Sequence, residues 1–76
     1  MYLEKGRRTM RTNLVNARKK LKYAQTDVSK ILGISERQYQ RLESGDSQGS
    51  LKIWKRLREL FGLSIDLLEQ VEDIIA

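Results

Sequence analysis

Glu36, Arg37, Gln40 and Arg41 place one carboxylate, two guanidinium groups and one amide on a single stripe at helical spacing. These groups make directed hydrogen bonds, and none stands beside a nucleophile. The chain contains no histidine and no cysteine, which removes thiol and imidazole nucleophiles, disulfides and Cys/His metal sites. It offers no carboxylate pair, no nucleophile–base pair and no phosphate-cradling glycine loop. The chemistry within reach is recognition by hydrogen bonding and charge. Neither catalysis nor a cofactor is expected.

Charge is unevenly distributed. The net charge is +5; residues 1–22 hold eight Lys or Arg against Glu4 alone, while residues 62–76 hold Asp66, Glu69, Glu72 and Asp73 and no basic residue. A basic front suits a polyanionic partner. The 76 residues suffice for one domain with a thin core, which favours a module working through its surface over one with a deep cleft. No segment approaches the roughly 18 apolar residues of a membrane span. The N-terminal charges precede no apolar run, so no secretory signal is expected.

The stripe must be positioned by neighbouring elements, and the pattern predicts five short helices. Residues 1–12 lack periodicity and, with Gly6 and their basic run, read as a flexible or loosely docked arm. Residues 13–23 read as a first helix capped by Asn13, with Leu14, Ala17, Arg18 and Leu21 on one face. Residues 25–33 read as a second, capped by Thr26, with Val28, Ile31 and Leu32 apolar and Gly33 ending it. Residues 35–44 carry the polar stripe. Ser35 and Gln38 form a capping box there, Tyr39 and Leu42 make the buried edge, and Gly45 closes the helix. Ser50 caps a fourth helix with Ile53, Trp54, Leu57, Leu60 and Phe61 inward, stopped by Gly62. Ser64 caps a fifth that is expected to run to the end, with Leu67, Leu68, Val71, Ile74 and Ile75 apolar.

Only Gly33 and Ile34 separate the second and third helices. So short a turn sends the third helix off steeply rather than antiparallel. The run QTDVSKILGISERQYQRLESG, residues 25–45, resembles the helix-turn-helix of the phage-repressor-like Xre family. The following GSLKIWKRLRELFGLSIDLL resembles that family's fourth helix and the start of its fifth. The markers are Gln25, Gly33, the Leu42-Glu43-x-Gly45 motif, Ser50-Leu51, and Gly62-x-Ser64 ahead of Asp66. The resemblance spans about residues 13–69. It implies a compact, all-α, five-helix lambda-repressor-like DNA-binding domain over residues 13–76. The helix-turn-helix lies at 25–43, and a flexible basic arm at 1–12 precedes the domain.

In that family the third helix enters the DNA major groove. The resemblance therefore implies base contacts for Glu36, Arg37, Gln40 and Arg41. Arg can donate twice to guanine O6/N7, Gln can pair with adenine, and Glu can accept from cytosine N4. Gln25 and Gln38, at helix starts, become candidate phosphate contacts, as do Lys52 and the arm residues Arg7, Arg8 and Arg11. Lys19, Lys20 and Lys22 add a basic outer surface. Arg18 and Glu43 occupy the positions of a structural ion pair pinning the first helix to the end of the third. Three departures stand out: Ser29 and Arg58 replace common alanines, and the loop 46–50 has no cation where relatives grip phosphate.

The expected function is sequence-specific transcriptional regulation, as a repressor of phage or mobile-element type. The expected partner is a double-stranded operator, bound by a homodimer formed through helix 64–76 with recognition helices ~34 Å apart. Two alternatives use the same fold: an antitoxin, and a protein-interaction module that has lost DNA binding. A toxin or an antirepressor is the corresponding protein partner. A cytoplasmic, nucleoid-associated location is expected, with no membrane contact.

Overall fold

The computed structural model describes residues 7–75, with side chains for residues 8–74. The element order is β1 (Arg7–Met10), α1 (Thr12–Lys20), α2 (Gln25–Leu32), α3 (Glu36–Ser44), α4 (Leu51–Phe61), α5 (Ile65–Glu69) and β2 (Glu72–Ile75). The helices pack around Leu14, Val28, Leu32, Tyr39, Leu42, Trp54, Leu57 and Leu68. Truncating one of its fully buried leucines to alanine costs about 2–5 kcal/mol, a large fraction of what so small a domain can hold. Leu21 and Ile31, expected to face the core, are exposed.

Local chemistry sets the helix boundaries. At the start of α3 the Ser35 hydroxyl accepts from the Gln38 N–H at 3.1 Å, and Gln38 Oε1 accepts from the Ser35 N–H at 3.1 Å. This is the reciprocal box expected from the sequence. Ser50 and Ser64 cap α4 and α5 in the same manner, accepting from Ile53 and Leu67. Two expected caps differ. The N-cap of α2 is Ala24 rather than Thr26; Asp27 Oδ2 accepts the Ala24 N–H at 2.8 Å, placing a carboxylate at the positive end of the helix. Asn13 lies inside α1, whose N-cap is Arg11. The Asn13 amide instead donates to Leu67 O at 2.9 Å and Gln70 Oε1 at 3.1 Å, tying α1 to the end of α5.

The first helix stops short of Tyr23 because Lys22 adopts φ +62°. The Lys22 N–H then reaches Lys19 O at 2.9 Å and the Tyr23 N–H reaches Arg18 O at 3.2 Å, satisfying the last carbonyls of the helix. Gly33 plays that role for α2 at φ +75°. A Cβ there would meet nothing within 4 Å, so the backbone angle alone demands glycine.

The two ends of the described chain depart most from expectation. The fifth helix does not run to the end: it closes at Glu69, and Gln70 is extended at φ −60°, ψ 125°. Beyond it, β2 pairs antiparallel with β1, setting Arg8 opposite Ile74, Thr9 opposite Asp73 and Met10 opposite Glu72. From Arg7 onward the expected flexible arm is therefore half of a ribbon; its residues 1–6 lie outside the described residues. β-branched Val71, Ile74 and Ile75 suit a pleated strand better than a helix, and pairing satisfies backbone groups of both segments.

Candidate nucleic-acid interface

The polar stripe is presented by a helix fixed from behind. The turn at Gly33 directs α3 away from α2. Ile34 packs half-buried against the core, and Tyr39 and Leu42 anchor the inner face of α3. The outer face carries Glu36, Arg37, Gln40 and Arg41, all exposed. They line one shallow hollow together with Ser44 and Asp46. Inside it Gln40 Nε2 stands 3.5 Å from Glu36 Oε2, at the limit of a hydrogen bond. Among the described residues neither Arg37 nor Arg41 forms an ion pair. The structure thus brings all four expected base-contact residues together with their donors and acceptors available. Ser44 lies one turn beyond Gln40, so the periodicity could have found it; Asp46 is placed by the turn after Gly45.

Behind the stripe, Arg18 Nε lies 2.6 Å from Glu43 Oε2, and Nη2 lies 3.3 Å from Oε1. Their side chains are 12% and 6% exposed, so water screens the pair little. Arg18 Nη1 also donates to Tyr23 O at 2.9 Å. The Glu43 hydrogen bond holds the Arg18 guanidinium charged, above its ordinary range, against the opposing effect of burial. Tyr39 is buried beside the pair. Burial first, then the neighbouring Glu43 carboxylate, push its phenol far above the ordinary tyrosine range, while among the described residues its hydroxyl has no partner in good hydrogen-bond geometry.

The expected phosphate contacts divide. Gln25 Nε2 donates to Glu43 Oε1 at 2.8 Å, so its amide belongs to the structural pin instead of facing a ligand. Gln38 uses its oxygen in the capping box and remains exposed. Lys52 is exposed in the first turn of α4, and Lys19, Lys20 and Lys22 are exposed on and after α1. Lys19 shares a hollow with Gln40, Ser44 and Thr9. Arg8 is exposed on β1; of Arg7 only the backbone is described.

Arg11 overturns its expected role as a phosphate contact. It is 4% exposed. Its Nη1 donates to Leu42 O at 2.6 Å and Ser47 O at 2.7 Å, and its Nε donates to Glu69 O at 2.9 Å. Its backbone N–H donates to Glu43 O at 2.7 Å. Burial lowers the guanidinium pKa, and the Glu69 charge partly opposes that. Arg11 bridges carbonyls of two helix ends and a loop, of which Leu42 O also accepts from the Gly45 N–H, and sequence spacing gives no sign of it.

Fold and interface together define a class, a small helical domain presenting a hydrogen-bonding helix in a helix-turn-helix. A family model described as Helix-turn-helix matches residues 14–68. The chain belongs to this family, in its Xre/lambda-repressor-like form, and is a DNA-binding helix-turn-helix regulator. The family is generally non-enzymatic. Neither a search of curated proteins nor a search of solved structures returns a match. No described helix is long and apolar enough to cross a membrane.

Proposed function

We propose that the protein is a sequence-specific transcriptional repressor of phage or mobile-element type, acting by inserting α3 into the major groove of an operator. The observation that carries this reading is the exposed stripe Glu36, Arg37, Gln40 and Arg41, whose two guanidinium groups form no ion pair among the described residues, on a helix locked from behind by Arg18 and Glu43. Arg37, in the first turn of α3, reads guanine through O6 and N7. Gln40 pairs with adenine, Glu36 accepts from cytosine N4, and Arg41 reaches the deeper rim of the groove. Gln38 and Lys52 contact flanking phosphates.

Two copies on a palindromic site place their recognition helices about one DNA turn apart, ~34 Å. The described helix ends too early for the interface first expected over residues 64–76. Exposed apolar residues on and around α5 that could serve pairing are Leu63, Leu67 and Val71. A cytoplasmic, nucleoid-associated location follows from this role.

Selection of bound sequences from a random duplex pool tests the proposal directly, giving the half-site and, through its symmetry, the dimer. Arg37→Ala is expected to relax preference at one base position by about 1–3 kcal/mol. An unaltered preference in that variant would sink the reading.

A further inference from the structure

We infer that the β1–β2 ribbon is a second DNA-contacting element, in which Arg8 neutralises a backbone phosphate beside the C-terminal end of α3. This rests on the proposal that α3 occupies the major groove.

The ribbon is fastened to α3. Thr9 Oγ1 donates to Ser44 O at 2.5 Å, and the Arg11 backbone N–H donates to Glu43 O. At Gly45 a Cβ would stand 3.1 Å from Thr9 Oγ1 and 3.1 Å from Val71 Cγ1, so strand and helix end touch without room for a side chain. The surfaces are continuous. Ser44 and Asp46 line the hollow of the polar stripe, and they also line the next hollow with Arg8 and Thr9.

Dimensions place Arg8 at phosphate level. The nine residues of α3 span ~13.5 Å, close to the ~12 Å width of the major groove. With the first turn of α3 at the bases, its last turn lies at the groove's phosphate rim. The charge there is available. Arg8 is exposed and forms no ion pair among the described residues, with Ile74 opposite it and the Asp46 carboxylate lining the same hollow. The loop 46–50 supplies no cation at this end of the helix, and Arg8 supplies one from another part of the chain.

The test is operator affinity against salt concentration for the full chain, with Arg8→Gln, Arg8→Lys, Arg37→Ala and Arg58→Gln. Arg58 is exposed on α4 and lines neither hollow, so it controls for net charge. Arg8→Gln is expected to weaken every duplex by the same factor and to flatten the log–log salt slope by about 0.9, one phosphate's share. Arg8→Lys should restore the slope, and Arg58→Gln should leave it in place. The ribbon's role is overturned by an unchanged slope in Arg8→Gln, or by an equal loss in Arg58→Gln. If Arg37→Ala still relaxes base preference, the ribbon alone has failed. Absence of any sequence preference in the wild type overturns both proposals. Melting curves of the Arg8 variants should overlay the wild type, since the side chain is exposed.

Discussion

The Arg11 guanidinium lies over the Trp54 indole, 5.0 Å from its centroid, with three main-chain carbonyls completing its surroundings. A buried cation is here stabilised by dipoles and a π face, and it forms no ion pair among the described residues. Arg11→Ala is expected to destabilise the domain by about 3 kcal/mol, because three hydrogen bonds from a buried guanidinium are lost. Arg11→Lys should recover only part of this, since an ammonium lacks the planar fork. Urea denaturation measures both. A loss within error of zero for Arg11→Ala would return this residue to the DNA-contacting set.

Arg18 and Glu43 behave as one unit. Glu43→Ala leaves a largely buried guanidinium without its carboxylate and frees the Gln25 amide, at an expected cost of about 3 kcal/mol. Replacing both partners, as Arg18→Met with Glu43→Leu, should cost less than either single change because no unpaired charge remains. A double-mutant cycle from denaturation midpoints decides this; simple additivity would mean that the two charges do not cooperate.

Tyr39 links stability to alkaline pH. Its ordinary pKa is 10.0 and the folded state raises it. Above pH 10 the unfolded chain releases this proton while the folded chain retains it. The unfolded state then binds fewer protons, and stability falls as pH rises, by about 1.4 kcal/mol per pH unit. Tyr39→Phe should abolish this contribution. At neutral pH it should be nearly neutral, because among the described residues the buried hydroxyl has no well-formed hydrogen bond to lose. Thermal melts from pH 8 to about 11 follow the effect; identical alkaline slopes in both proteins would contradict it.

Asp46 sits in the hollows of both the stripe and Arg8, where its charge repels phosphate. Asp46→Asn is therefore expected to tighten binding to all duplexes at low salt, with the gain shrinking as salt screens it. Weakened binding to the preferred operator alone would instead make Asp46 an acceptor for a base.

Local chemistry was legible where it decided the structure. Ser35 and Gln38, the turn at Gly33 and the inward Tyr39 and Leu42 could be read from spacing because their partners lie within a few residues. Arg11 could not, since its acceptor on Glu69 is 58 residues away and its composition matches a basic tail. Residues 67–75 misled for another reason. Leu67, Leu68, Val71, Ile74 and Ile75 fit a helical period, and only the β-branched character of the last three favoured a strand. That preference is realised through pairing with residues at the other end of the described chain.

That pairing also orders the way the domain is assembled. Met10 and Glu72 are brought together only when everything between them has been gathered in, whereas each helix and the turn at Gly33 form from neighbours. Long closures are entropically the last to become favourable. The ribbon is thus expected to act as the latch of the fold, engaging late and releasing early. Amide exchange at Arg8, Thr9, Asp73 and Ile74 should run ahead of exchange at the helical Trp54 and Leu57. Each release of the latch would carry Arg8 away from the end of α3 while the helical body stays folded.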